Sequence, residues 1–315
     1  MRLRITHNTI YRYPSTAIES HNEARLIPIT DEHQTCLDHR ITVNPTCGVY
    51  SYALPTGGVS YFNVREPHYY LNILSESLVI TYRSNPFEGF QFIEPDEEFY
   101  ADDSVRQHFC EYLAETKLVP FHSDIDRIAA VADRNRTGPG AAAFLISLTR
   151  TLHRAFEFRP GVTSVHSTIS HVLEQGSGVC QDFSHLMLAI CRRRGIPARY
   201  ISGYLYNSVD HSVSPSVPSF RTPPEGEAIA GNEDRFDGEA GAALLGADVM
   251  HAWVECLLPD GSWRGFDPTN NLVANHHFVK VHIGRDYSDV VPLRGVYKGP
   301  TAESMQINVK VIEEL

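Results

Sequence analysis

The chain has 315 residues, 42% of them hydrophobic, which is enough to bury a large core and to form two domains. A formal net charge of −11 makes nucleic acid and anionic membrane poor partners, and no apolar run approaches the length of a membrane span. The opening MRLRITHNTIYRYP is basic but lacks an apolar stretch and a small-residue cleavage site, so no signal peptide is expected.

The first 95 residues read as β. Leu3 and Ile5, Ile41 and Val43, and Leu78, Ile80 and Tyr82 alternate with polar neighbours, the period of a strand buried on one face. The aromatics at Tyr61-Phe62 and Tyr69-Tyr70 fit a sheet surface better than a binding platform. Helical spacing follows. Ser104 stands before Val105, Phe109, Tyr112 and Leu113, and Ser123 before Ile125, Ile128 and Ala132. From Pro139, residues Leu145, Leu148, Leu152 and Phe156 line one helix face.

The run GSGVCQDFSHLMLAICRRRGIP carries the strongest chemical signal. Gly176, Ser177 and Gly178 read as a turn with Ser177 or Gly178 as N-cap, and Phe183, Leu186, Met187, Ile190 and Cys191 recur at helical spacing. Gly195-Ile196-Pro197 ends the helix. Cys180 then sits in the first turn, where unpaired N–H groups and the positive dipole end favour a thiolate and offer a donor to an oxyanion. Most cysteines are inert core residues, and Cys191 and Cys256 read as such. The glycine turn and the residues downstream set Cys180 apart. Arg192-Arg193-Arg194 falls in the last helical turn, where cations complement the dipole, and is read as capping rather than as an anion site.

Residues 207–247 are rich in Ser, Pro, Gly and acids and read as a loop insertion, either a lid or specificity loop or a tolerated insertion. Next comes HAWVECLL, with His251, Trp253, Glu255 and Leu257 on one face, then the turn Pro259-Asp260-Gly261-Ser262 and a return strand from Trp263 to Asp267. A tight two-residue turn would set Asp267 opposite Val254, on the wrong face from His251, so a longer loop or a bulge is expected. Asp267 can then hold one ring nitrogen of His251 and leave the other for the thiol. His276, His277 and His282 lack a convergent acidic or thiolate partner and are read as surface histidines. Ile307, Val309 and Val311 suggest a last strand.

The segments GVCQDFSHLMLAICRRRGIPARYISGYLY (178–206), DVMHAWVECLLPDGSWRGFDPTNN (248–271) and HIGRDYSDVVPLRGVYKG (282–299) resemble the bacterial transglutaminase-like superfamily, a papain-like group. RLRITHNTIYRYPSTAIESHNEARLIP (2–28) is similar to the N-terminal β-domain that accompanies it. The resemblance implies an α+β protein. An antiparallel β-sandwich-like domain (1–95) precedes a papain-like core (96–300) with its Cys helix packed on an antiparallel sheet, and a C-terminal strand (301–315) follows. It also implies Cys180 as nucleophile, His251 as base and Asp267 as its orienting partner. Asp182 and Gly284-Arg285-Asp286-Tyr287 match the family pattern and are taken as structural or site-supporting.

The activity expected is thiol acyl transfer through a thioester, most simply hydrolysis of a peptide or amide. Crosslinking of glutamine to lysine or amines, and a non-catalytic peptide-binding module, are the alternatives. A peptide or protein is the expected substrate. No metal or other cofactor is expected: no cysteine pair has metal-ligand or redox spacing, and no calcium-loop pattern appears. A reduced cytoplasm is the expected setting.

Overall fold

The structure, a computed structural model, describes residues 1–90, 98–163, 167–207, 244–247 and 249–314. The boundary expected at residue 95, and residues 208–243 of the expected insertion, lie outside the described residues. Five strands open the chain: β1 (Arg2–Ile27), β2 (Gln34–Asn44), β3 (Val49–Leu54), β4 (Gly57–Val64) and β5 (His68–Thr81). Helices α1 (Asp103–His108), α2 (Ile125–Asn135) and α3 (Gly140–Ala155) follow. A short parallel pair, β6 (Glu157–Phe158) and β7 (Ser177–Gly178), brackets α4 (Ile169–Gln175). Then come α5 (Cys180–Arg193), β8 (Ala198–Leu205), β9 (His251–Leu257), β10 (Trp263–Asp267), β11 (Leu272–Val273) and β12 (Phe278–Gly284). The end is α6 (Tyr287–Val290), β13 (Leu293–Lys298) and β14 (Ser304–Glu313).

The alternating residues of the opening segment do form a strand, but one of 26 residues that serves two leaves. Its first half pairs with β5 and β14, and its second with β4 and β13. The exchange of partners falls where the ladder with β5 breaks, between Arg12 and Ala17. Pro14, with no N–H to donate, lies within that break. Tyr13, Ala24, Leu26, Val43, Phe62, Val64, Leu71 and Ile73 pack together as the core of this region.

That region is not free-standing. The sheet runs β11-β10-β9-β8-β12-β4-β1-β5-β2, so the strands that follow α5 continue into the N-terminal strands through β12 and β4. On one face of β8–β10, helices α2, α3, α4 and α5 enclose a core that includes Leu148, Leu152, Met187, Ile190, Val254 and Phe266. The result is a mostly antiparallel β-sheet with several helices. Among the described residues, no helix is long and apolar enough to cross a membrane.

Local capping differs from the residues that the sequence suggested. Asp102, not Ser104, caps α1, its Oδ1 accepting the Ser104 N–H at 2.7 Å. Asp124, not Ser123, precedes α2, and its side chain makes no cap bond. Pro139 does precede α3.

Candidate active site

One chain reversal decides where Cys180 lies. Helix α5 closes with a Schellman turn: Gly195 (φ +77°) donates to the Arg192 carbonyl and Ile196 to the Cys191 carbonyl, each at 2.9 Å. Cys191, near that end, lies with its sulfur 3.7 Å from that of Cys256, near the end of β9. The helix therefore runs back along the sheet. It is 14 residues long, about 21 Å, so its N-terminus reaches the opposite end of β8 and β9. There Gly203 of β8 pairs with His251, the first residue of β9.

Cys180 is the first residue of α5 and is half-buried. The N-cap is Val179, not the expected Ser177 or Gly178. Valine has no capping oxygen, and Asp182 supplies it from the next turn. Its buried Oδ2 accepts the Val179 N–H at 2.8 Å and the Thr163 hydroxyl at 2.7 Å. The carboxylate thus fixes the backbone that precedes Cys180, the supporting role expected of it.

The β9–β10 hairpin has the longer loop its chemistry required. Pro259 to Gly261 form a three-residue loop, with Leu258 N–H bonded to the Ser262 carbonyl at 2.9 Å and Gly261 at φ +78°. The register is Trp263 opposite Leu257 through Phe266 opposite Val254. One step on, Asp267 falls beside Trp253, on the face of β9 that also carries His251. The two side chains meet at 2.8 Å, His251 Nε2 to Asp267 Oδ2, and both are fully buried.

Burial alone would push the His251 imidazole down. The negative charges of Asp267 and Cys180 outweigh it and hold the ring up at about 10. Burial alone would raise the Asp267 carboxyl, and the His251 charge and the donors of His251 and Asn270 keep it below its ordinary value. The second ring nitrogen, Nδ1, is buried and makes no hydrogen bond of ordinary geometry. Its polar neighbour is the Cys180 thiol, whose charge adds to the rise. A histidine fastened through one nitrogen, with the other left for a thiol at a helix start, can move a proton to and from sulfur or a leaving group.

A match to the transglutaminase-like superfamily core spans residues 128–268, a range that holds Cys180, His251 and Asp267. A second match, to the bacterial transglutaminase-like N-terminal region, spans residues 3–80. An uncharacterised protein of Mycobacterium leprae is 32% identical over 312 residues, covering 98% of each chain. This chain belongs to the transglutaminase-like superfamily. A solved structure from Cytophaga hutchinsonii, named as a candidate cysteine protease, shares its fold with a TM-score of 0.68 at 19% identity, covering 100% of this chain and 91% of that one. A protein-glutamine gamma-glutamyltransferase of Pseudomonas aeruginosa is 26% identical over 155 residues, which is 48% of this chain and 19% of that protein.

Around the transglutaminase-like core, several side chains play parts that the sequence did not reveal. Asn270 donates from Nδ2 to Asp267 Oδ2 at 2.8 Å, and Thr269 N–H reaches Asp267 Oδ1 at 2.9 Å. The FDPTNN run holds both residues, but nothing in its spacing says which of them turns back to the carboxylate. Tyr200 of β8 and Tyr287 of α6, with ring centroids 6.5 Å apart, both lie within electrostatic reach of Cys180. Asp286 caps α6 and Tyr287 N–H donates to His185 Nε2 at 3.2 Å, which ties α6 to α5. Arg192 is not a helix cap. It is buried and its guanidinium bonds the carbonyls of Ala114, Ala198 and Arg285, while burial lowers it to about 10. His282 is not a surface residue. It is buried in β12, and burial pushes it down to about 4. Among the described residues, no group of three or more His, Cys, Asp or Glu could hold a metal ion.

Proposed function

We propose that this transglutaminase-like chain is a thiol acyl-transfer enzyme that hydrolyses peptide or amide bonds. The observation that carries the reading is the buried His251, held through Nε2 by Asp267, with Nδ1 left beside Cys180 at the start of α5. His251 takes the thiol proton, and the sulfur attacks the amide carbonyl. The tetrahedral oxyanion meets the Cys180 N–H at the helix start. The C–N bond breaks as the imidazolium gives its proton to the departing amine, leaving a thioester on Cys180. Water then gives a proton to His251, attacks the thioester carbonyl and expels the thiolate.

A second reading keeps the first half and lets a primary amine take the place of water. The similarity to the Pseudomonas aeruginosa protein-glutamine gamma-glutamyltransferase favours it. The test is acylation by p-nitrophenyl acetate, followed by peptide mapping and by profiling against a peptide library with and without added amine. The expected result is a burst of nitrophenolate with an acetyl group on the Cys180 peptide, absent from Cys180→Ala. No acetyl on that peptide in the parent protein would leave a non-catalytic binding module as the better reading.

A further inference from the structure

We infer that Asn270 is a positioning residue that latches the segment Leu244–Ala247 over His251, and that this latch sets which acceptor resolves the acyl-enzyme. The inference rests on the thiol acyl-transfer reading and names what governs its second half.

The Asn270 amide bonds two groups that are far apart in sequence. One N–H goes to Asp267 Oδ2, the oxygen that also accepts from His251. The other goes to the Leu245 carbonyl at 3.3 Å, and Oδ1 accepts the Leu245 N–H at 2.8 Å. Both amide N–H groups and one lone pair of the oxygen are thereby used. Leu244 and Ala247 anchor the ends of the segment against the cluster around Trp253. Its middle is exposed at the Leu245 side chain, and the two bonds to Leu245 lie at the surface, so that middle depends on Asn270.

Gly246 is what the latch holds in place. It sits at φ +81°, and a Cβ built there would lie 2.8 Å from His251 Nδ1 and 3.5 Å from Cε1. Its backbone is therefore packed against the one ring nitrogen that Asp267 does not use. To resolve a thioester, the acceptor must hand its proton to that nitrogen as it attacks the carbonyl, while the C–S bond breaks and the thiolate returns. With Gly246 latched, space on this side suits a water molecule and disfavours an alkyl amine. Releasing the latch opens the space to the larger nucleophile and leaves the thiol and the imidazole as they are, while the Asp267 carboxylate loses the Asn270 donor and keeps that of His251.

Two measurements on the full chain test this, with Asn270→Ala as the variant and Asn270→Ser as the substitute if alanine does not fold. The first is hydrogen exchange at the Leu245 amide, which requires no activity. Loss of its acceptor predicts exchange faster by about tenfold. The second is the partition of the acetyl-enzyme formed from p-nitrophenyl acetate between water and added butylamine. The amide to acetate product ratio is expected to rise about threefold or more in the variant, whatever happens to the acylation rate. A residue that merely supported the fold would slow acylation and leave that ratio unchanged. Unchanged Leu245 exchange overturns the latch. Faster exchange with an unchanged ratio overturns its control of the acceptor. A parent protein that never carries the acetyl group overturns the functional reading instead, and the exchange measurement then still decides whether the latch exists.

Discussion

One face of β9 carries two buried charged clusters, and they are built to opposite ends. At the far end, Glu255 is ringed by Arg199 and Lys280, and Lys280 also bonds Asp31 at 2.8 Å. Burial would raise the Glu255 carboxyl, but these two cations hold it down at about 2. At the near end, His251 has one partner, Asp267, and one nitrogen without an ordinary bond. A carboxylate ringed by cations has nothing left to offer a substrate, whereas a buried ring nitrogen beside a thiol is placed for proton transfer. The same strand, two turns of its pleat apart, thus separates a structural cluster from a reactive one.

The sharpest way to break the contrast is Cys180→Ala. It should abolish acylation and turnover while leaving the melting temperature nearly unchanged, since the sulfur is only half-buried at a helix start. Residual turnover above background, by burst kinetics on protein free of contaminants, would remove Cys180 from the mechanism.

Next in size is Glu255→Gln. Leaving buried cations short of a partner should cost about 3–5 kcal/mol. That lowers the melting temperature on the order of 10 °C, read by calorimetry. The folded fraction should still acylate at the parent rate, and a matching fall in acylation would make this cluster part of the site.

Asp267→Asn should cost on the order of a hundredfold in kcat/KM, because the amide favours the wrong imidazole tautomer, with the hairpin intact by circular dichroism. Near-parent kinetics would mean that another group orients His251.

The smallest effect is in pH. The folded His251 is raised above its unfolded value of 6.5 to about 10, so its stabilising contribution is complete below about pH 6.5 and fades as the pH climbs towards 10. Glu255 is depressed, so its contribution is complete above the ordinary carboxylate value of 4.5 and is lost as the pH falls towards about 2. In urea titrations from pH 5 to 9, the stability gap between parent and His251→Gln should narrow, while that for Glu255→Gln stays level. Two level gaps would deny the charged state assigned to the histidine.

The sequence marked Cys180, His251 and Asp267 because each sits on a local pattern: a glycine turn before a helical period, a strand start, and a strand end before proline. Even the loop length was legible, since period two forbids a tight turn from setting Asp267 on the His251 face. What could not be read depends on residues distant in the chain. Arg192 looks like a helix cap from its own neighbours, and only the fold brings Ala114, Ala198 and Arg285 to its guanidinium. His282 looks polar and exposed until β4 covers it. Asn270 has a short-range partner in Asp267 and a long-range one in Leu245, and only the second explains its geometry. Capping differs for a local reason: serine and aspartate are both good N-caps, and Asp102 stands two positions before Ser104, at the start of α1.

The length of β1 has a consequence for how the molecule is made. Its register runs from Leu3 against Glu313 to Ala24 against Leu293, so β1 is completed by β13 and β14, which leave the ribosome long after it. At about 5–20 residues per second, β1 waits on the order of tens of seconds for them. Throughout that interval its hydrogen-bonding edge stands open to any other extended chain nearby. A nascent chain stalled after α6 keeps that edge bare, and has the whole Cys180, His251 and Asp267 set on a body that cannot close.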